Sequence, residues 1–115
     1  MFAINFYTSL YEDMLLRGRK TATIRLGNKE SKYRSGELVW VTVGQRFGRR
    51  RKLFTAIIDS VAVKLLSDVT PRELDRENPE IRTHEEMRKF LSMIYERPVG
   101  LDDEVTVVHF SPVSE

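Results

Sequence analysis

Hydrophobic and polar positions change period several times along the chain, and each change marks an element. Met1-Phe2-Ala3-Ile4 opens on a short apolar run, and residues 3–7 read as a strand. Ser9-Leu10-Tyr11-Glu12 matches a capping box, with Ser9 at the N-cap, so a helix is expected through Leu16. Gly18 suits the left-handed residue that ends such a helix, and Leu10, Met14 and Leu15 are its expected core contacts. Thr21-Ala22-Thr23-Ile24-Arg25 then alternates with period two. That sends Ala22 and Ile24 to one face of a strand, and Thr21, Thr23 and Arg25 to the other.

Residues 26–36 are polar and end in the turn Ser35-Gly36. Glu37 to Val43 reads as a strand that sets Leu38, Trp40 and Thr42 opposite Val39, Val41 and Val43, with Trp40 most simply a core residue. Gly44 to Arg51 reads as a hairpin connection, and the return through residues 52–65 is long enough for one bent strand or two consecutive ones. Thr70-Pro71-Arg72-Glu73 starts a second helix, which Asn78-Pro79 should keep short. Thr83-His84-Glu85-Glu86 repeats the capping box, and Met87, Phe90, Leu91 and Ile94 follow at helical spacing. Pro98-Val99-Gly100 breaks that helix, and Glu104 to Phe110 alternates as a last strand. Five to six strands with three helices, in an order that does not repeat βαβ, predict an α+β fold. The expected architecture is a small mixed, mostly antiparallel sheet or β-barrel with helices at its ends.

The 115 residues contain no repeat, no low-complexity segment and no Gly/Ser linker, so a single domain over 1–115 is expected. No apolar run approaches the length of a membrane span and no signal-peptide pattern follows Met1, so the expected location is cytoplasmic, with no membrane partner. With no Cys there is no thiol nucleophile and no Cys-based zinc site. His84 is expected exposed in a helix's first turn, and His109 packed or at a strand edge. Nothing places carboxylates around either, and Asp102-Asp103-Glu104 reads as a charged loop without further ligands, so neither a metal nor another cofactor is expected.

Charge is distributed unevenly. Residues 1–65 carry 13 Lys/Arg against 5 Asp/Glu, and residues 66–115 carry 6 against 12. Such asymmetry builds one electropositive surface and a separate acidic one, and leaves a protein partner open for the acidic C-terminal half. The densest positive cluster is the hairpin Arg46-Phe47-Gly48-Arg49-Arg50-Arg51-Lys52. Arg46, Arg49, Arg50, Arg51 and Lys52 suit RNA phosphates, and Phe47 suits a stacked base. The same cluster also reads as a solvated tip whose charges stop a strand edge from pairing, with Phe47 folded back on Trp40 or Phe54.

Gly18-Arg19-Lys20-Thr21-Ala22-Thr23-Ile24-Arg25 fits G-x-K-x-x-[T/E]-x-R. This resembles the signature of the ASCH domain family, within the PUA-like superfamily of small β-barrels. The preceding short helix, the Tyr33-Arg34-Ser35-Gly36-Glu37 turn into a hydrophobic strand, and the chain length extend the resemblance over essentially the whole sequence. It implies a cleft between barrel and helices, lined by the motif through Gly18, Arg19 and Arg25, and suited to RNA or a nucleotide-like ligand.

Among short ASCH proteins the chain is similar to bacterial N-acetylcytidine amidohydrolases, which carry Thr rather than Glu at the sixth motif position, here Thr23. That similarity carries a catalytic Lys and Thr onto Lys20 and Thr23, and a catalytic Glu onto Glu77 within Arg76-Glu77-Asn78. A desolvated Lys near other cations has a depressed pKa and suits a base towards a Thr hydroxyl, with Glu77 orienting it. Arg25 or a backbone N–H then suits the oxyanion. The plain alternative is an ordinary Lys20–Glu77 ion pair beside a β-forming Thr23. The function expected first is an RNA- or nucleotide-binding module in RNA metabolism; the alternative is an amidohydrolase that deacetylates N-acetylcytidine through Lys20, Thr23 and Glu77, and a ribonuclease comes third.

Overall fold

A computed structural model describes residues 1–45 and 47–114 of the chain. The described residues form the strands Ala3–Phe6 (β1), Ala22–Leu26 (β2), Leu38–Val43 (β3), Arg51–Leu65 (β4) and Glu104–Pro112 (β5). They lie in one sheet in the order β1-β3-β4-β5-β2. β1 runs parallel to β3, and every other neighbouring pair is antiparallel. The result is an α+β half-barrel of five strands, with β1 and β2 left as its two unpaired edges.

The long return segment is one bent strand. β4 pairs with β3 through its first half and with β5 through most of its length, and the register with β5 shifts between Ile58 and Ser60. A bulge there leaves one residue unpaired and bends the strand, which lets a single strand curl around the core.

The alternation of β3 holds. Val39, Val41 and Val43 are buried on the concave face with Ile4, Phe6, Ala56, Ile58, Val108 and Phe110. Trp40 takes the opposite face by parity and is 41% exposed, so it is not a core residue; the Lys52 ammonium lies 5.3 Å from its ring centroid. On the other side of the sheet Ile24, Leu26, Val105 and Val107 pack against Leu74, Met87 and Leu91. Fully burying side chains of this size stabilises by about 1.5–3 kcal/mol each.

The first helix differs from expectation. Its cap is Thr8, whose Oγ1 accepts from the N–H of Leu10, and the chain passes through a 3-10 turn, Ser9–Tyr11, before α1, Glu12–Leu16. Three residues per turn instead of 3.6 rotates the early positions. Leu10 therefore points to solvent, while Tyr11 and Leu15 are buried. Gly18 ends the element at a φ of 71°, as its lack of a Cβ allows. The other two helices, Pro71–Glu77 (α2) and His84–Tyr95 (α3), start at complete capping boxes on Thr70 and Thr83. Ile94, near the end of α3, is 41% exposed rather than packed. His84 is half-buried, with its Nε2 2.6 Å from the carbonyl of Val69.

Candidate functional site at the open edge of the half-barrel

An edge strand exposes backbone groups that need partners. On β2 those partners are side chains from sequence-distant elements. The N–H of Ile24 donates to Glu77 Oε2 at 2.7 Å, and the N–H of Leu26 donates to the Tyr95 hydroxyl at 3.1 Å. The carbonyl of Ala22 accepts from Lys20 Nζ at 2.7 Å. The unclosed edge is thus lined by functional groups where a sixth strand would otherwise pair.

Lys20 is 1% exposed. Its ammonium donates to the carbonyls of Ala22 and Glu77, each at 2.7 Å, and meets Glu77 Oε1 at 2.9 Å. Those three contacts match the three N–H donors of the group. Nζ also lies 4.3 Å from the Tyr11 ring centroid and 5.1 Å from that of Phe6. Burial lowers its pKa to about 8, against an opposing pull from Glu77. Glu77 is 3% exposed and is held on both oxygens, because Tyr11 donates its hydroxyl to Oε1 at 2.7 Å. Burial and the adjacent Glu77 carboxylate hold the Tyr11 phenol protonated far above its ordinary range.

Thr23 pairs with Val108 and so faces the concave core, where it is 3% exposed. Its hydroxyl accepts from Arg25 Nε at 2.8 Å, as the shared strand face predicts. Arg25 spans the gap between the edges: its Nη2 donates to the carbonyl of Asn5 in β1 at 3.1 Å. The guanidinium carbon of Arg25 lies 5.0 Å from the Phe6 centroid, so Phe6 is flanked by both motif cations. Among the described residues no hydrogen bond joins Lys20 to Thr23.

Around this gap lie groups to which the sequence assigned no part in a site. The Lys32 ammonium sits 5.5 Å from the Phe2 ring and 5.7 Å from that of Tyr33. Its pKa is lowered by partial burial, then by the charges of Arg25, Lys29 and Arg50. Tyr33 is pushed up by burial, with Arg25 opposing. Asn5 is buried and aligns the β1 edge, donating to the Gly44 carbonyl at 3.0 Å and accepting from the Thr42 hydroxyl at 2.8 Å. Isolated tyrosines and a loop lysine carry no spacing signal, so only the fold collects them.

The other expected site residues divide. Gly18 and Arg19 are exposed on the turn that leads into β2. In the hairpin, Phe47 is 93% exposed and Arg49 and Arg50 are exposed. Arg51 forms an ion pair with Glu12 of α1. Lys52 turns to the convex face over Trp40. Arg46 lies outside the described residues. The described residues hold no group of three or more His, Asp or Glu arranged for a metal ion, and no helix is long and apolar enough to cross a membrane.

Two cavities open nearby. One of about 240 Å³ lies beside Tyr11, lined also by Thr8, Met14, Asn78 and Phe90. A larger one of about 560 Å³ lies between α2, β4 and β5. Lys20 and Thr23 line neither, and the half-buried Arg25 side chain covers the Thr23 hydroxyl.

No family model matches the sequence, and no curated protein matches it significantly. Solved structures do. An ASCH domain from Lactobacillus crispatus JV V101 matches with a TM-score of 0.68 at 22% identity, over 96% of this chain and 77% of that one. Protein EF3133 from Enterococcus faecalis V583, assigned to DUF984, matches with a TM-score of 0.72 at 16% identity, over 98% and 76%. The hypothetical protein PH0355 matches with a TM-score of 0.68 at 15% identity, over 97% and 98%. Likeness at these identities is likeness of fold.

Proposed function

Taking the ASCH-like fold of this chain as the premise, we propose that the open edge between β1 and β2 binds a nucleoside and hydrolyses the N-acyl amide of an acetylated cytidine. The observation that carries this reading is the buried Lys20–Glu77 pair at 2.9 Å, anchored to the same strand that presents Thr23. A lysine lowered to about 8 is about one-tenth neutral at pH 7, which suits a general base operating near neutrality.

In this reading substrate entry moves Arg25 off Thr23 and brings neutral Lys20 within reach of it; Lys20 then takes the Thr23 proton, and Oγ1 attacks the acetyl carbonyl carbon. Arg25, which already donates to that oxygen, turns to the developing oxyanion. The carbon–nitrogen bond then breaks, and Lys20 returns the proton to the exocyclic amine of the leaving cytidine. Water hydrolyses the acetyl ester on Thr23 and releases acetate. Glu77 holds Lys20 in place and stabilises its charged form between steps, and Tyr11 fixes the Glu77 carboxylate.

A second reading, an RNA-binding module with no turnover, is favoured by the cations gathered around the gap: Arg25, Lys29, Lys32 and Arg50. The deciding experiment incubates the purified protein with N-acetylcytidine and, separately, with acetylated RNA, and follows acetate release. Turnover that disappears in Thr23→Ala supports the hydrolase. A folded protein that binds RNA but leaves both substrates intact establishes the binding module instead. Shortened RNA products would point to the ribonuclease.

A further inference from the structure

The larger cavity, of about 560 Å³, is independent of the reading above. It lies where α2 meets β4 and β5, and its wall includes His109, which pairs with Ala22 and so has the parity opposite to Thr23 and its neighbour Val108. α2 presents two stripes. Glu73 and Glu77 turn inward and are buried, while Arg72 and Arg76, one turn apart, line the cavity. Among the described residues neither arginine has a carboxylate or carbonyl partner.

Of the acids at the cavity wall, Glu73 is paired with a cation, while Asp59 is hydrogen-bonded and keeps its charge. Glu73 accepts from Lys64 Nζ on both oxygens at 3.0 Å and from the N–H of Thr70 at 2.8 Å. Asp59 Oδ2 accepts from the Ser111 hydroxyl at 2.5 Å. What remains uncommitted is a pair of guanidiniums facing the hydroxyls of Thr21 and Ser60 and the ring of His109. Guanidiniums recognise phosphate oxygens through parallel N–H donors. The volume exceeds the needs of a bare phosphate and falls in the range of organic-ligand pockets, roughly 300–1,000 Å³.

We propose that this cavity is a second ligand site, which holds the phosphate monoester of a nucleotide-sized molecule between Arg72 and Arg76. The rest of the ligand lies along Ser111 and Pro112. Because the backbone N–H of Thr21 donates to the carbonyl of Arg76 at 3.0 Å, the ligand would sit directly behind the residue that leads into β2.

Cytidine 5′-monophosphate, cytidine and inorganic phosphate are the probes, titrated at constant ionic strength into the isotope-labelled protein and followed by NMR and calorimetry. The monophosphate should shift the amides of Thr21, Ser60 and His109 and bind more tightly than inorganic phosphate. Arg72→Gln with Arg76→Gln should weaken it by about tenfold or more, the loss expected for charge-assisted contacts. Thr23→Ala, which alters the opposite face, should leave this affinity unchanged. Amides that do not move with any phosphate, or an unchanged affinity in a double variant of native circular dichroism, would overturn the site. Inorganic phosphate binding as tightly as the nucleotide would overturn its assignment to a nucleotide-sized ligand.

Discussion

Lys20 and Glu77 stand 57 positions apart in sequence and meet 2.9 Å apart in space, with side chains 0% and 4% exposed. Each also caps a backbone group of β2, so the pair serves the sheet edge and the candidate chemistry together. Removing one partner strands the other charge in a dry setting. Glu77→Ala is expected to cost about 3–5 kcal/mol, the usual penalty for breaking a buried pair. Chemical denaturation measures it, and a loss well under 1 kcal/mol would mean that the pair is hydrated.

The pH dependence of folding follows from the same lysine. Its pKa is lowered to about 8 from 10.5, so between these values the unfolded chain holds a proton that the folded one has released. Lys20 therefore makes stability rise from about pH 8 towards 10.5, while its burial cost is fully present below pH 8. Above pH 10 the raised pKa of Tyr11 works the other way, because the unfolded chain then ionises first. The clean comparison is wild type against Lys20→Met by urea unfolding at pH 7, 8 and 9.5. The stability difference should change in favour of wild type over the last interval, and a flat difference would refute the lowered pKa.

For turnover, the same ionisation predicts a rate that rises with pH and levels above about 8, since the neutral amine is the base. A profile of kcat/KM reports the free enzyme. A rate that falls through this range would require the charged lysine, and would exclude it as the base.

Thr23→Ala and Thr23→Ser separate chemistry from packing. The alanine variant loses one hydrogen bond from Arg25 and should cost about 1–2 kcal/mol of stability, yet abolish acetate release. Serine keeps the hydroxyl and should recover part of the activity. If both variants turn over like wild type, Thr23 is a β-forming residue and nothing more.

In the hairpin, Arg49 and Arg51 should differ. Glu12 already neutralises Arg51, whereas Arg49, next to Gly48, is exposed. If RNA binds here, Arg49→Ala should reduce the salt slope by about 0.7, one phosphate contact, and Arg51→Ala by less. Equal slopes in the two variants would show that the Glu12 pair dissolves on binding.

Much of the fold was legible along the chain because its signals are local. The capping boxes at Thr70 and Thr83, the left-handed Gly18, and the alternations of β2 and β3 depend on residues a few positions apart. The misreadings share a cause. A helical period points Leu10 inward where a 3-10 turn exposes it, and Trp40, expected in the core, lies on the strand face opposite the buried valines. The Thr23–Arg25 contact followed from two-residue spacing on one strand. Tyr11, Asn5 and Lys32 could not be read in this way, because nothing in their local spacing distinguishes them, and Tyr33 lay in a stretch that gave it no part in a site.

The sequence by itself determined which segments are strands and helices, and that Thr23 and Arg25 share a face, because backbone period and capping act over one or two turns. It also named Lys20, Thr23 and Glu77 through resemblance. Only the tertiary structure decided that β2 stays an edge and that Lys20 and Glu77 complete its hydrogen bonding. It alone turned Arg72 and Arg76 towards a cavity shared with β4 and β5. The physical reason is that burial and pairing of charges are settled by which distant surfaces exclude water together, and no short stretch of sequence carries that information.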